Sequence, residues 1–366
     1  MNFPTAVSAF WTAWFEQAAT YFIFSLPLFI VFWVIWKKKF RPIRIQETER
    51  AGRGHFRHDL LHSFSSFFVF ASLDVVLLYL QSRGYTMLYK DPAQYGWWWL
   101  GVSFVLALLL NDTYFYWTHR AMHHPKLYAF FHKAHHKSTD PSPLTAFAFH
   151  PAEAVVEYGM SIILPFIMPL HISVIIAWQL VDMLNNVLGH LGYELYPAGW
   201  TKTPVLRYLT TSTHHNMHHE QFDGNYGLYF TWWDKWMGTE FKDYEVRHEQ
   251  VFRRHTPSVA AGQATDVPDT NPTMAAAAAE VQVQLDGQYR RFMAQPQDTL
   301  LESALRAGVP LPFSCRQGRC GACKMKCVAG AVVMRSSKAL SPEAIAAGYI
   351  LTCQSTPQTP VVVLSE

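Results

Sequence analysis

No cysteine precedes Cys315 in this 366-residue chain, and all five cysteines fall between Cys315 and Cys353. The long first part is therefore not a disulfide-stapled domain, and a clustered, spaced thiol set fits a metal site in a reducing compartment. Charge is also scarce. Asp, Glu, Lys and Arg make up 16% of the residues and hydrophobic types 50%, against roughly 25% charged in soluble domains, so lipid is expected to be part of the solvent. A formal charge of +3 with no groove-like basic stripe sets nucleic acid aside as a partner. Met1 to Thr20 lacks the basic start and small-residue cleavage site of a secretory signal, and the first apolar run is expected to be retained. No Gly-x-Gly-x-x-Gly fingerprint occurs, so a nicotinamide-dependent step would need a separate reductase.

Long apolar runs are present. Ala18 to Trp36 carries no charge, approaches the ~20 residues that cross a bilayer, and is followed by Lys37-Lys38-Lys39-Phe40-Arg41. It reads as a span ending in the cytosol. Leu60 to Gln81 and Trp97 to Leu110 read as the second and third spans, with Trp97, Trp98 and Trp99 suited to the interface. Tyr158 to Val181 has no Asp, Glu, Lys or Arg. A single crossing would part the histidines before it from those after it, so it reads as a re-entrant hairpin. Its turn lies near Pro165, Pro169 and His171, and each arm has roughly 16 residues or ~24 Å. The organisation expected is multi-domain: an all-α integral-membrane domain over 1–255, a linker over 256–279, and a small α+β domain over 280–366.

Three histidine boxes lie beside these runs: His119-Arg-Ala-Met-His123, His132-Lys-Ala-His135-His136 and His215-Asn-Met-His218-His219. Residues three and four apart share a helix face, so each box can present two or three imidazoles to one side. Left without a metal, so many buried ring nitrogens would lack partners. Imidazole suits iron, copper, nickel and zinc, and the number of rings exceeds what one tetrahedral ion needs, which implies two metals. His190 is expected as a ninth ligand at the end of the hairpin's second arm, with Asn186 as a weak, water-mediated contributor on the same helical face. His124 and His214 are expected to stand outside the ligand set, and His55, His58, His62, His171, His248 and His255 as hydrogen-bonded core residues.

With these motifs the chain resembles the integral-membrane fatty acid hydroxylase and sterol desaturase superfamily over roughly Asp112 to Thr239. The resemblance is carried by Asp112-x3-Tyr116-x2-His119-Arg120-x2-His123, by Phe131-His132-Lys133-x-His135-His136 with His150-Pro151-x-Glu153, and by His215-x2-His218-His219. After the third box come Asn225-Tyr226-Gly227 and Trp233-Asp234-x3-Gly238-Thr239. It implies a di-iron centre on the cytosolic side of a helical membrane domain, ligated by His119, His123, His132, His135, His136, His190, His215, His218 and His219. It also implies Asp112, Glu153, Asn225 and Asp234 as groups that orient imidazoles by hydrogen bonding, with helix capping or interface packing as the alternative. Some members place a histidine pair where this chain has Asn186 and His190, so one metal is expected to have one ligand fewer.

Cys315-x4-Cys320-x2-Cys323, with Cys353 distant, has the plant-type [2Fe–2S] ligand spacing. The segment from Val281 to Glu366 resembles the β-grasp ferredoxin family, with strands over Val281 to Leu285 and Tyr289 to Met293 around an Asp286-Gly287 turn and a helix over Thr299 to Ala307. Cys327 is left over and is expected to be a small buried apolar residue. The whole reading is a membrane di-iron monooxygenase that hydroxylates a fatty acyl, sterol-like or related lipid with O2. Electrons would come from a separate NAD(P)H-dependent reductase through the fused [2Fe–2S] domain. Desaturation by the same centre is the nearest alternative, and a metal transporter or a membrane-anchored ferredoxin the more distant ones. No residue is singled out as an acid or base.

Overall fold

The computed structural model describes residues 3–46, 51–253, 278–285, 288–295, 298–313, 318, 321–337 and 339–365. The chain divides into two compact units, Met1–Pro257 and Ser258–Glu366.

The first unit is helical because its sequence offers long apolar runs with few breakers. Among the described residues four helices are long and apolar enough to cross a membrane: Pro4–Ile35, Arg53–Ser82, Trp97–Met122 and Ile172–Gly189. Each is longer than, or displaced from, the run read from the sequence, since a helix continues into its polar flanks. The third passes Leu110 and carries Asn111, Asp112 and His119 within the same helix. In the first, Pro27 lacks the N–H for an i→i−4 bond, and the ladder re-registers as a π-helical stretch over Ile30–Ile35. Apolar side chains such as Phe15, Ile23, Val34 and Leu61 face outward, as helices do when lipid is the solvent.

Polar side chains inside this unit meet one another. Gln17 donates to Asp74 (3.3 Å) and to the Tyr158 hydroxyl (3.1 Å), and that hydroxyl donates to Asp74 (2.7 Å). This knot ties the first two apolar helices to the start of the hairpin and accounts for an aspartate in an otherwise apolar run.

The hairpin departs from the expected equal arms. Its first arm is Gly159–Ile167, preceded by Pro151–Glu157 with a break at Tyr158, and its second is Ile172–Gly189. Pro169 disfavours a helical conformation at Met168, which is extended (φ −151°, ψ 151°), so the first arm ends early. Between the arms, Leu170–His171 pairs in parallel with Leu88–Tyr89.

The second unit holds a five-stranded sheet in the order Gln288–Ala294, Ala279–Leu285, Val361–Ser365, Lys324–Ala329, Tyr349–Leu351. Only the pairing of Ala279–Leu285 with Val361–Ser365 is parallel. Alternation along Ala279–Leu285 turns Val281, Val283 and Leu285 into the core, against Leu300, Leu301 and Ala304 of the helix Leu300–Arg306. Thr299 and Glu302 cap that helix reciprocally. The expected turn at Asp286-Gly287 and nearly all of the expected linker lie outside the described residues.

Candidate metal centre

The three boxes reach one place by different local structures. His119 lies in the last turn of Trp97–Met122 and His123 caps it. The second box is not on an α-helix: His132 caps Pro125–Phe131, and His135–Lys137 forms a 3-10 turn. The third box does lie on a helix, Ser212–Gln221, whose N-terminus is capped by the Thr211 side chain. His190 caps Ile172–Gly189.

The imidazoles form two groups. His119, His123, His132, His136 and His218 make one, and His135, His190, His215 and His219 the other, each with ligand atoms within 4.8 Å of one another. The second and third boxes are thus divided between groups, whereas the first, His119 and His123, keeps to one side as expected. Adjacent residues project about a quarter-turn apart, so His135 and His136 diverge, as do His218 and His219.

Five rings are held from behind. Nδ1 of His119 meets the Tyr226 carbonyl (3.0 Å), that of His190 the Asn186 carbonyl (2.8 Å), that of His218 the Gly224 carbonyl (2.7 Å) and that of His219 the Ser138 carbonyl (3.0 Å). His132 Nδ1 meets the Glu153 carboxyl. A carbonyl only accepts, so the four rings facing one carry their proton on Nδ1 and turn a bare Nε2 inward. Two of these bare nitrogens, on His190 and His219, stand 3.1 Å apart. Two lone pairs repel at that distance, and a cation between them removes the repulsion. Other Nε2 separations are 2.9 Å (His119 to His132), 3.0 Å (His136 to His218; His190 to His215) and 3.2 Å (His123 to His136; His135 to His190). Neighbouring ligands at metal–nitrogen bonds of ~2.1 Å stand about 3 Å apart, so the residues present fit a metal ion in each group.

Electrostatics agrees. Burial lowers the basicity of His123, His132, His135, His136, His215, His218 and His219 well below the ordinary imidazole range, and that of His190 to about 4. They are therefore neutral at physiological pH, the form that binds metal. Burial and the nearby Glu157 push the Glu153 carboxyl well above the usual carboxylate range, and a cation in the adjacent group would oppose that. Glu153→Gln is expected to weaken iron binding in the five-histidine group by roughly 10–100-fold, measured as iron retained against a chelator.

Of the other expected orienting groups, only Glu153 touches a clustered ring through its side chain. Asp112 accepts instead from the Tyr229 and Phe230 amides (2.8 and 3.1 Å) and from Trp232 Nε1 (2.8 Å). Asp234 accepts from the amides of Tyr226 and Gly227 and from Thr239. Asn225 donates to the His214 carbonyl and accepts from the Phe241 amide. Its φ of 54° turns the backbone where Gly224 and Tyr226 offer their carbonyls to His218 and His119. The Asn186 side chain donates to the Ala146 carbonyl (3.0 Å), and its hydrogen bond with His190 is through its backbone. Asp234 and Asn225 thus act on the turn whose Gly224 and Tyr226 carbonyls face His218 and His119. His214 is buried 3.5 Å from Asp234 and His124 caps a helix, both outside the groups.

Sequence reasoning missed the carbonyl acceptors, because a carbonyl has no side-chain signature. It also missed Asp59, which accepts from the hydroxyls of Ser138 and Thr145 (2.7 Å from the latter) and so fixes the segment whose carbonyl holds His219. A pocket passes both groups. It is lined by His119, His132, His135, His190 and His215, by the apolar Phe115, Phe149 and Leu228, and by Asn185, Asn186 and Glu157 among others.

In the second unit, Cys323 and Cys353 are buried with sulfurs 3.1 Å apart, well beyond a disulfide bond. Gly318 and Gly321 adopt φ of 73° and 71°, a left-handed conformation that a side chain would resist. Two neighbouring buried thiols beside such a loop fit one end of a [2Fe–2S] cluster; Cys315 and Cys320 lie outside the described residues. Cys327 is half-buried, not buried, with its sulfur 3.5 Å from the Ala329 carbonyl.

Fold and site together define a membrane metalloprotein: a helical unit gathers imidazoles into two ion-sized groups, and a β-grasp unit brings paired thiols. Residues 104–239 match the fatty acid hydroxylase family and residues 283–358 the 2Fe-2S iron-sulfur cluster binding domain. Two non-haem irons and one [2Fe–2S] cluster are the cofactors that accompany these matches and the histidine groups. The chain is 34% identical to the Delta(7)-sterol 5(6)-desaturase ERG3B of Gibberella zeae, over 48% of this chain and 54% of that one. It is 36% identical to the lathosterol oxidase of Homo sapiens, over 47% and 56%, and 26% identical to methylsterol monooxygenase 1 of Rattus norvegicus, over 65% and 80%. The chain thus spans little more than half the length of the first two relatives.

Proposed function

We propose that the chain is an O2-dependent membrane oxidoreductase that oxidises an unactivated C–H bond of a lipid of the sterol class, with hydroxylation as the reaction. The observation that carries this reading is the pair of imidazole groups, each fit for a metal ion, opening on one pocket with apolar walls. Residues 1–255 form the oxidising domain, and residues 280–366, joined through 256–279, relay electrons. His119, His123, His132, His136 and His218 hold one iron, and His135, His190, His215 and His219 the other. Cys315, Cys320, Cys323 and Cys353 hold the [2Fe–2S] cluster. When bound, the irons supply oxygen activation.

The chain's own residues do the rest. Carbonyl tethers keep the rings turned inward, Phe115 and Phe149 exclude water beside them, and Glu153 balances positive charge behind His132. Both the groups and the ferredoxin domain face the cytosol, a reading supported by Lys37, Lys38, Lys39 and Arg41 after the first apolar helix. A separate NAD(P)H-dependent reductase reduces the ferredoxin domain. Desaturation is a second reading, favoured by the names of the Gibberella zeae and human relatives. Lipid mass spectrometry of cells expressing the intact chain or His218→Ala tests both: a sterol that gains one oxygen only with the intact chain supports hydroxylation, and one that loses two hydrogens supports desaturation. An identical profile from His218→Ala removes the di-iron reading.

A further inference from the structure

Glu157 is a carboxyl in the pocket for which the ligand set has no use. It lies one turn beyond Glu153 on Pro151–Glu157, lines the pocket alongside His119, His132 and His135, and makes no hydrogen bond or ion pair among the described residues. Such a group is costly unless its ionisation is used. The reaction creates that use, for either outcome. Hydroxylation balances as R–H + O2 + 2 electrons + 2 protons giving R–OH + H2O. Desaturation takes the same electrons and protons and gives a C=C bond and two waters. The electrons come through the ferredoxin domain, while the protons must cross a pocket whose histidines are occupied as ligands or held by carbonyls.

Resting on the oxidoreductase reading above, we propose that Glu157 is the carboxyl that delivers a proton into the pocket as O2 is reduced, and is reloaded from solvent between turnovers. The titratable groups that act on it or are acted on by it are Glu153 on its own helix, Tyr114 from Trp97–Met122 and Asp182 from Ile172–Gly189, while His119, His132 and His135 line the same pocket. None is a cationic side chain that would hold Glu157 permanently ionised. Tyr114 donates to the Val156 carbonyl (2.9 Å), and Asp182 accepts from the Tyr229 hydroxyl and from Asn111, so both are otherwise engaged. Burial, and then the charge of Asp182, push the Glu157 carboxyl up to about 8. Both raise its affinity for a proton, and a cation in the neighbouring groups would oppose them, as at Glu153, which brings gain and loss of a proton within reach of each other.

The test uses the full-length, iron-loaded protein as wild type, Glu157→Gln and Glu157→Asp. Infrared titration between about pH 5 and 10 should show a protonated-carboxyl band that disappears near the middle of that range, is missing in Glu157→Gln and is displaced in Glu157→Asp. With iron content equal to wild type, Glu157→Gln should lower oxidised lipid by about 100-fold. Glu157→Asp should recover part of it, with a shifted pH profile. A Glu157→Gln protein that forms product at the wild-type rate and pH dependence, or a wild type without a titrating carboxyl assignable to Glu157, overturns the proposal. If Glu157→Gln fails to load iron, the displaced band and pH profile of Glu157→Asp decide. Product retained in His218→Ala would mark failure of the oxidoreductase reading itself. Product lost in His218→Ala but intact in Glu157→Gln would mark failure of the proton role alone.

Discussion

Replacing His190 with alanine is expected to empty the four-histidine group and to abolish lipid oxidation, while the other iron and the ferredoxin cluster remain. His190 is central to that group: its Nε2 lies 3.2 Å from that of His135, 3.0 Å from that of His215 and 3.1 Å from that of His219. With only four ring ligands, removing this one leaves three and an unoccupied corner. The loss of product should exceed the roughly 10–100-fold that follows removal of a ligand's outer partner. Iron per chain, measured by elemental analysis, should fall by one. His214→Ala is the control, because His214 is as buried but belongs to neither group; it should keep its iron. A His190→Ala protein with full iron would mean that the 3.1 Å approach of His190 to His219 needs no cation.

The second large effect is expected from Cys353→Ser. The variant should lose the visible absorption of the [2Fe–2S] cluster and, with it, nearly all product in cells, yet retain the histidine-bound iron. Cys353 is buried beside Cys323, so a hydroxyl there is a poor ligand and a poorly solvated group. Chemical reduction of the purified variant should restore a single turnover, because the defect lies in electron supply. Undiminished product in cells would show that electrons reach the membrane domain by another route.

Much of this arrangement was legible in the residues. The boxes announced a metal site because imidazoles at three- and four-residue spacing in an apolar setting have few other uses. The ferredoxin unit was legible for a related reason, since thiol spacing and strand alternation are both local. Division of the ligands was not legible, because spacing gives the face of a helix but not what packs against it, and because His132 to His136 leaves the α-helix altogether. Which of the two roles left open for Asp112, Asn225 and Asp234 applies was not legible for a further reason. A buried polar side chain in a motif has many possible partners, and here they are backbone amides, an indole, the Thr239 hydroxyl and the ungrouped His214, not the grouped imidazoles. The uneven hairpin turned on the conformation of a single residue, Met168, ahead of Pro169.

Sequence neighbours His135 and His136 serve different groups, and so do His218 and His219. Consecutive Cα atoms are ~3.8 Å apart across a rigid peptide, so at two places in the chain one peptide unit anchors a ring of each group. Sliding of the helices within a fluid bilayer can tilt both groups or open the pocket, but it moves their shared segments together, and only rotation about the torsions of those residues would change the spacing between the groups.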